Sequence, residues 1–188
     1  MKMTHPLAAA LIGTLFCVTV RAEDAPASVK DLVPDLQTWG TDPVPVAAVK
    51  DRNGTAEALD EVKATDAEWI AYTGVSEFMH TLMNNAAAEE LKKLEKSKPY
   101  FTELFLMDHL GANVAMTNKT SDYWQGDEPK FTESFKDGAG AVHVGKVKFD
   151  ESAQTYLVQV SVPVMDAGKA IGAITVGVNL DELEASDQ

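Results

Sequence analysis

Cysteine is almost missing from this sequence: Cys17 is the only one, which excludes a disulfide framework and a thiolate metal site. Basic residues are also scarce. Sixteen Lys and Arg stand against 29 Asp and Glu, a formal charge of −13, and so acidic a chain lacks the basic face that nucleic acid or anionic lipid requires. No apolar run reaches the roughly 20 residues a membrane-crossing helix needs. There is no GxSxG elbow to present a nucleophilic serine. His80, His109 and His143 lie far apart, without the HxxxH or HExxH spacing that brings two imidazoles to one metal. Gly140 to Lys146 has the GxxxxGK spacing of a phosphate loop, but Val147 follows where Ser or Thr would bind magnesium, and the stretch alternates as a strand. Carboxylates are so abundant that paired ones read as a solvated acidic face. No nucleic-acid partner, metal or cofactor is expected, and the chain is expected to bind without turnover rather than to act as an enzyme.

What is present begins with an export signal. Met1-Lys2-Met3 leads into an apolar run from Leu7 to Val20 and then Val20-Arg21-Ala22, after which Glu23 and Asp24 break the pattern. This is the order of a secretory signal peptide over residues 1–22, cleaved after Ala22. Phe16 before Cys17 is too bulky for a lipobox, so Cys17 leaves with the signal. Removal of Lys2 and Arg21 leaves 14 basic against 29 acidic residues, a charge of −15. A periplasmic protein of one domain is expected.

Residues 23–43 read as an N-terminal arm, with four prolines between Glu23 and Pro45 and Trp39 available to dock it. The domain follows over 44–188. Val46 to Asn53 predicts a short helix, broken at Asn53-Gly54, with Thr55 as a cap. Leu59, Val62, Trp69, Ile70, Val75, Phe78, Leu82, Met83, Ala86, Leu91 and Leu94 recur at three or four residues. This predicts one long helical segment, bent near Gly74, that ends in Lys92, Lys93, Lys96 and Lys98 before Pro99; it offers a surface for a homodimer. The period then changes. Leu104 to Met107 and Ala112 to Thr117 form a hairpin, Asp127 to Gly138 a short helix, and Ala141 to Phe149, Thr155 to Val164 and Lys169 to Val178 three further strands. Strands joined by short turns make an antiparallel sheet.

Within that order, Phe105-Leu106-Met107-Asp108-His109-Leu110-Gly111, Asn113 to Thr117, Thr120 to Glu128, and Val162-Pro163-Val164 with Gly168 and Ile171-Gly172-Ala173-Ile174 resemble a Cache domain of the PDC type over about Val44 to Leu183. The resemblance implies an α+β, PAS-like fold, a five-stranded antiparallel sheet with a long N-terminal helix packed on one face. It also implies extracytoplasmic sensing of small metabolites, normally as the input part of chemoreceptors and sensor kinases. No output part is read in the sequence, so a separate membrane-bound signalling partner is expected.

Strand alternation places His143 with Ala141 and Gly145, small neighbours that leave room beside the imidazole. Thr155, Leu157, Gln159 and Ser161 share a polar face, opposite Tyr156, Val158, Val160 and Val162, which suits a helix packed on the valines. His143, Thr155 and Gln159 are therefore candidates for lining a pocket. By resemblance, the loop and short helix that cover a Cache ligand add Tyr123, Trp124, Asp127, Lys130 and Phe131. Lys130 supplies a local positive charge for a small organic anion, such as a short carboxylate, or an amino acid. The alternatives are an interaction or structural protein with a vestigial pocket, and a periplasmic enzyme.

Overall fold

Two long strands, β5 (Thr155–Asp166) and β6 (Lys169–Asn179), form the centre of the molecule. Ala167 and Gly168 turn between them with φ of 48° and 80°, the positive pair that matches a tight hairpin to strand twist. β1 (Phe101–Met107) pairs with β6, and β2 (Asn113–Met116) with β1. On the far side of β5 lie β3 (His143–Val144) and β4 (Lys148–Asp150). Every pairing is antiparallel, in the order β2-β1-β6-β5-β3 with β4 also on β5. The computed structural model describes residues 23–55, 57–150 and 154–186; the expected signal peptide, residues 1–22, lies outside them.

The mixed helix and antiparallel-sheet class is as expected, with one strand more. The run from Ala141 to Phe149 divides into β3 and β4, and Glu23 and Asp24 join it between the two. Asp24 bridges Lys146, and Val147 donates its N–H to the Glu23 carbonyl at 2.9 Å.

One face of the sheet is the expected valine face. Val158, Val160, Val162, Ile174, Val176 and Val178 are fully buried there, each worth about 1.5–3 kcal/mol relative to exposure. Above them lie α1 (Ala27–Asp31), α2 (Val33–Trp39), α3 (Pro43–Asn53), α6 (Ala86–Glu95) and α8 (Leu180–Ser186), which contribute Val29, Leu36, Val49, Leu91 and Leu183. The proline-bearing stretch read as a loose arm is thus helical and packed. Its prolines do not break helices because Pro34 and Pro43 stand in first turns, where the missing N–H has no intrahelical partner. Trp39 does dock the stretch, edge-on to Phe101 at 5.2 Å.

The opposite face carries Phe105, Met107, Met116 and Ala173. They pack against α4 (Leu59–Ala71), α5 (Glu77–Asn84) and α7 (Pro129–Phe135) through Val62, Trp69, Met79 and Phe131. The single long helix expected before β1 is therefore α4, α5 and α6. Gly74, at φ 91°, lies at the bend between α4 and α5. Asn85 makes the second break: its Oδ1 accepts from Ala88 N at 2.8 Å and caps α6, while its Nδ2 donates to Val114 O at 2.9 Å. The breaks let one segment serve both faces, since α4 and α5 belong to one core and α6 to the other. Thr55 closes α3 by donating to Arg52 O at 2.8 Å and does not cap the helix that follows; at the start of α4 Glu61 accepts from Ala58 N at 3.0 Å instead.

Candidate ligand-binding site

Cross-strand register sets two rows of side chains on the face opposite the valines. One row runs Phe105, Thr175, Ser161, His143; the next runs Glu103, Gly177, Gln159. The rows are two residues apart along each strand and so share a face. Ser161 and Thr175 satisfy each other with a buried hydroxyl pair at 2.8 Å, and Gln159 Nε2 donates to Glu103 Oε1 at 2.9 Å. Of the stripe read along β5, Leu157 and Gln159 line, with Glu103 and His143, the floor of a cavity of about 940 Å³, within the range of small-molecule sites, while Ser161 is fully buried and does not line it.

The roof comes from the loop after β2 and the start of α7. Pro129 at the first turn fixes the entry of the helix, and Lys130, the next residue, lines the cavity. Its side chain is 13% exposed, its Nζ lies 3.2 Å from Glu128 Oε2 and 5.2 Å from the centre of the Phe105 ring. Just before α7, Gly126 packs against Gly111 of the turn that precedes β2. A Cβ on Gly111, which has φ 85°, would come within 2.5 Å of Gly126 Cα.

Of the residues singled out in the sequence, Lys130, His143 and Gln159 come together at this cavity. The other five lie elsewhere. Tyr123 is fully buried between Trp69 and Phe78, and its hydroxyl accepts from Arg52 Nη2 at 2.7 Å. Arg52 also pairs with Glu57. Trp124 donates its indole N–H to Leu110 O at 2.8 Å, with Lys63 over its ring. The N–H groups of Tyr123 and Trp124 both donate to Asp66 Oδ1, at 2.8 and 3.0 Å. Two adjacent aromatics in a polar loop thus anchor that loop on α4. Phe131 stacks on Phe135 in the second core, Asp127 is exposed in the turn before α7, and the Thr155 hydroxyl lies 3.1 Å from Asn179 Oδ1 and 3.0 Å from Asp181 Oδ2.

Residues not read from the sequence complete the walls. Glu103 was legible, being a charge two residues from Phe105 on the same strand face. Glu128 stands beside Lys130, whereas Asp24, Ala25, Lys30 and Lys146 reach the cavity through long-range packing that has no local signature. Among the described residues, four lysines and five carboxylates line the cavity. Burial lowers the pKa of His143 from its ordinary 6.5, with Glu133 partly opposing; the imidazole is neutral at pH 7. Outside the cavity, burial pushes the Tyr123 phenol up to about 12. Burial also raises the carboxyl of Asp108, against hydrogen bonds from the Ala112 and Leu110 N–H groups.

The family model for the methyl-accepting chemotaxis protein-like first PDC sensor domain matches residues 81–185. No curated protein matches the chain. Among solved structures it is similar to the sensor domain of the Vibrio cholerae histidine kinase DctB, at 16% identity over 86% of this chain and 53% of that one, with a TM-score of 0.47. It is also similar to the ligand-binding domain of the Pseudomonas aeruginosa PAO1 amino acid chemoreceptor PctC in complex with GABA, at 12% identity over 84% of this chain and 63% of that one, with a TM-score of 0.38. A third is the ligand-binding domain of the Pseudomonas fluorescens chemoreceptor CtaA in complex with L-alanine, at 11% identity over 84% and 63%, with a TM-score of 0.41. The chain spans less than two thirds of the length of each of these three.

Proposed function

The chain belongs to the methyl-accepting chemotaxis protein-like first PDC sensor domain family, and from that premise we propose that it is an extracytoplasmic module that binds a small carboxylate-bearing molecule without transforming it. The observation that carries this reading is Lys130, a mostly covered ammonium at the roof of a cavity whose floor is built of hydrogen-bonding side chains. An ammonium held there offers a carboxylate a charge-assisted hydrogen bond of about 1.5–3 kcal/mol. His143 and Gln159 add uncharged polar groups. In the lining Ser121 Oγ donates to Asp122 Oδ2 at 2.8 Å, but the pair is exposed on the loop, where a serine hydroxyl keeps its ordinary weak nucleophilicity, so the reading is binding rather than turnover. The downstream partner is a membrane-bound signalling protein.

A second reading, an amino acid, is favoured by Glu128 and Glu103, whose carboxylates share the cavity with Lys130. A zwitterion would meet the ammonium of Lys130 with its carboxylate and one of the two glutamates with its amine. Thermal melts with propionate, L-alanine and propylamine separate these readings. Carboxylates that bind should stabilise the fold by about 2.7 kcal/mol at 100 times their dissociation constant. Propylamine should not. L-alanine acting far below the concentration of propionate favours the zwitterion, and stabilisation by propylamine alone contradicts the carboxylate reading.

A further inference from the structure

One wall of the cavity is made by the first described residues of the chain. The Glu23 carbonyl accepts the Val147 N–H at 2.9 Å, and Asp24 forms an isolated antiparallel bridge with Lys146. Lys146 and Val147 lie between β3 and β4, on the outer edge of β5. Further on, Ala25 is 8% exposed and Val29 is fully buried under the valine face. Asp24, Ala25 and Lys30 nevertheless line the cavity. The segment is thus held on the helical core at Val29 and reaches the ligand face at Asp24. Among the described residues, its backbone pairing with the sheet is the single Asp24–Lys146 bridge, of which the Val147–Glu23 hydrogen bond is a part. Weakly tied segments of this kind open before the core does.

We propose that residues 23–30 are a strap that completes the binding site, and that seating of the strap and occupancy of the cavity are coupled. A ligand that touches Asp24 or Lys30 seats the strap, and by linkage a seated strap raises affinity by the same factor. The strap carries one acid and one base to the site, so it takes part in selecting the ligand's charge. It also makes residue 23, far in sequence from α7, respond to what the cavity holds. The coupling rests on the ligand-binding reading above. The strap's place as a wall does not.

The test uses the full chain with Cys17→Ser and Gln159→Cys, so that one thiol lies on the cavity floor. Its rate of reaction with the anion 2-sulfonatoethyl methanethiosulfonate reports access. Ala25→Glu puts a charge where the strap is buried, and Val147→Pro deletes the N–H that Glu23 holds. Either should speed labelling of the floor by up to about tenfold, the equivalent of one lost hydrogen bond, while Ser97→Cys on the distant surface labels at an unchanged rate. Equal floor rates with the strap seated and unseated overturn the wall. Should both variants melt early, amide exchange of Val147 in the unsubstituted chain decides instead. It should slow when propionate or L-alanine, whichever raises the melting temperature, is added. Unchanged exchange beside a raised melting temperature overturns the coupling. If neither compound shifts the melt, the ligand reading fails, and the labelling rates still decide whether the strap is a wall.

Discussion

Gln159 donates its side-chain amide to the Glu103 carboxylate across a strand that lies between them, at 2.9 Å. The intervening residue is Gly177, paired with Glu103 on one side and Gln159 on the other. A Cβ there would come within 2.5 Å of Glu103 Cγ and 2.9 Å of Thr102 Oγ1. The absence of a side chain is what lets the floor polar groups meet. Gly177→Ala should therefore displace Glu103 and cost about 1–3 kcal/mol. That is a drop of several degrees in melting temperature at about 2–4 °C per kcal/mol. An unchanged melt would mean that Glu103 moves aside freely.

Lys130→Ala should remove most of the stabilisation that propionate or L-alanine gives, because it deletes the charged donor at the roof. Lys98→Ala makes the same charge change at an exposed position beyond α6 and should leave the ligand response intact. Parallel melts of the two variants check this. Equal loss in both would assign the effect to net charge.

Tyr123→Phe should behave in the opposite way. Its hydroxyl bonds Arg52 away from the cavity, so the variant should lose about 1.5–3 kcal/mol of ligand-free stability and keep its ligand response. Urea melts with and without ligand measure both quantities. A lost response with intact stability would move Tyr123 into the site.

The titration of His143 gives a pH prediction. Because burial depresses its pKa below 6.5 in the folded state, the unfolded chain takes up this proton first as pH falls. The contribution to stability is fully present above about pH 6.5 and is lost as pH falls through the depressed folded value. The stability difference between wild type and His143→Gln should therefore shrink as pH falls below about 6.5. A difference that stays constant would show that His143 titrates alike in both states.

Much of the fold was legible because it rests on period. Val158, Val160 and Val162 alternate with Leu157, Gln159 and Ser161, and that alternation alone separates the helical core from the cavity floor. The helix breaks were harder to read. Asn85 looks like any polar helix residue until Val114 is there to accept its amide. His143 and Gln159 were readable from strand alternation, whereas Lys130 was singled out only through the resemblance to Cache domains. Tyr123 and Trp124 were ambiguous, since an aromatic pair in a polar loop can cover a ligand or anchor the loop, and only Arg52, Asp66 and Leu110 decide which. The strap was hidden because Asp24 and Lys146 meet across more than half the chain.

On the proposed function, the cavity under α7 holds a small carboxylate-bearing molecule through Lys130. Native mass spectrometry of the protein purified from its own cells tests it most directly. We expect an adduct of small mass that dissociates as an anion on activation, is absent from Lys130→Ala, and is retained by Lys98→Ala. An adduct retained equally by Lys130→Ala would contradict the account, as would a bare protein whose melting temperature no carboxylate raises.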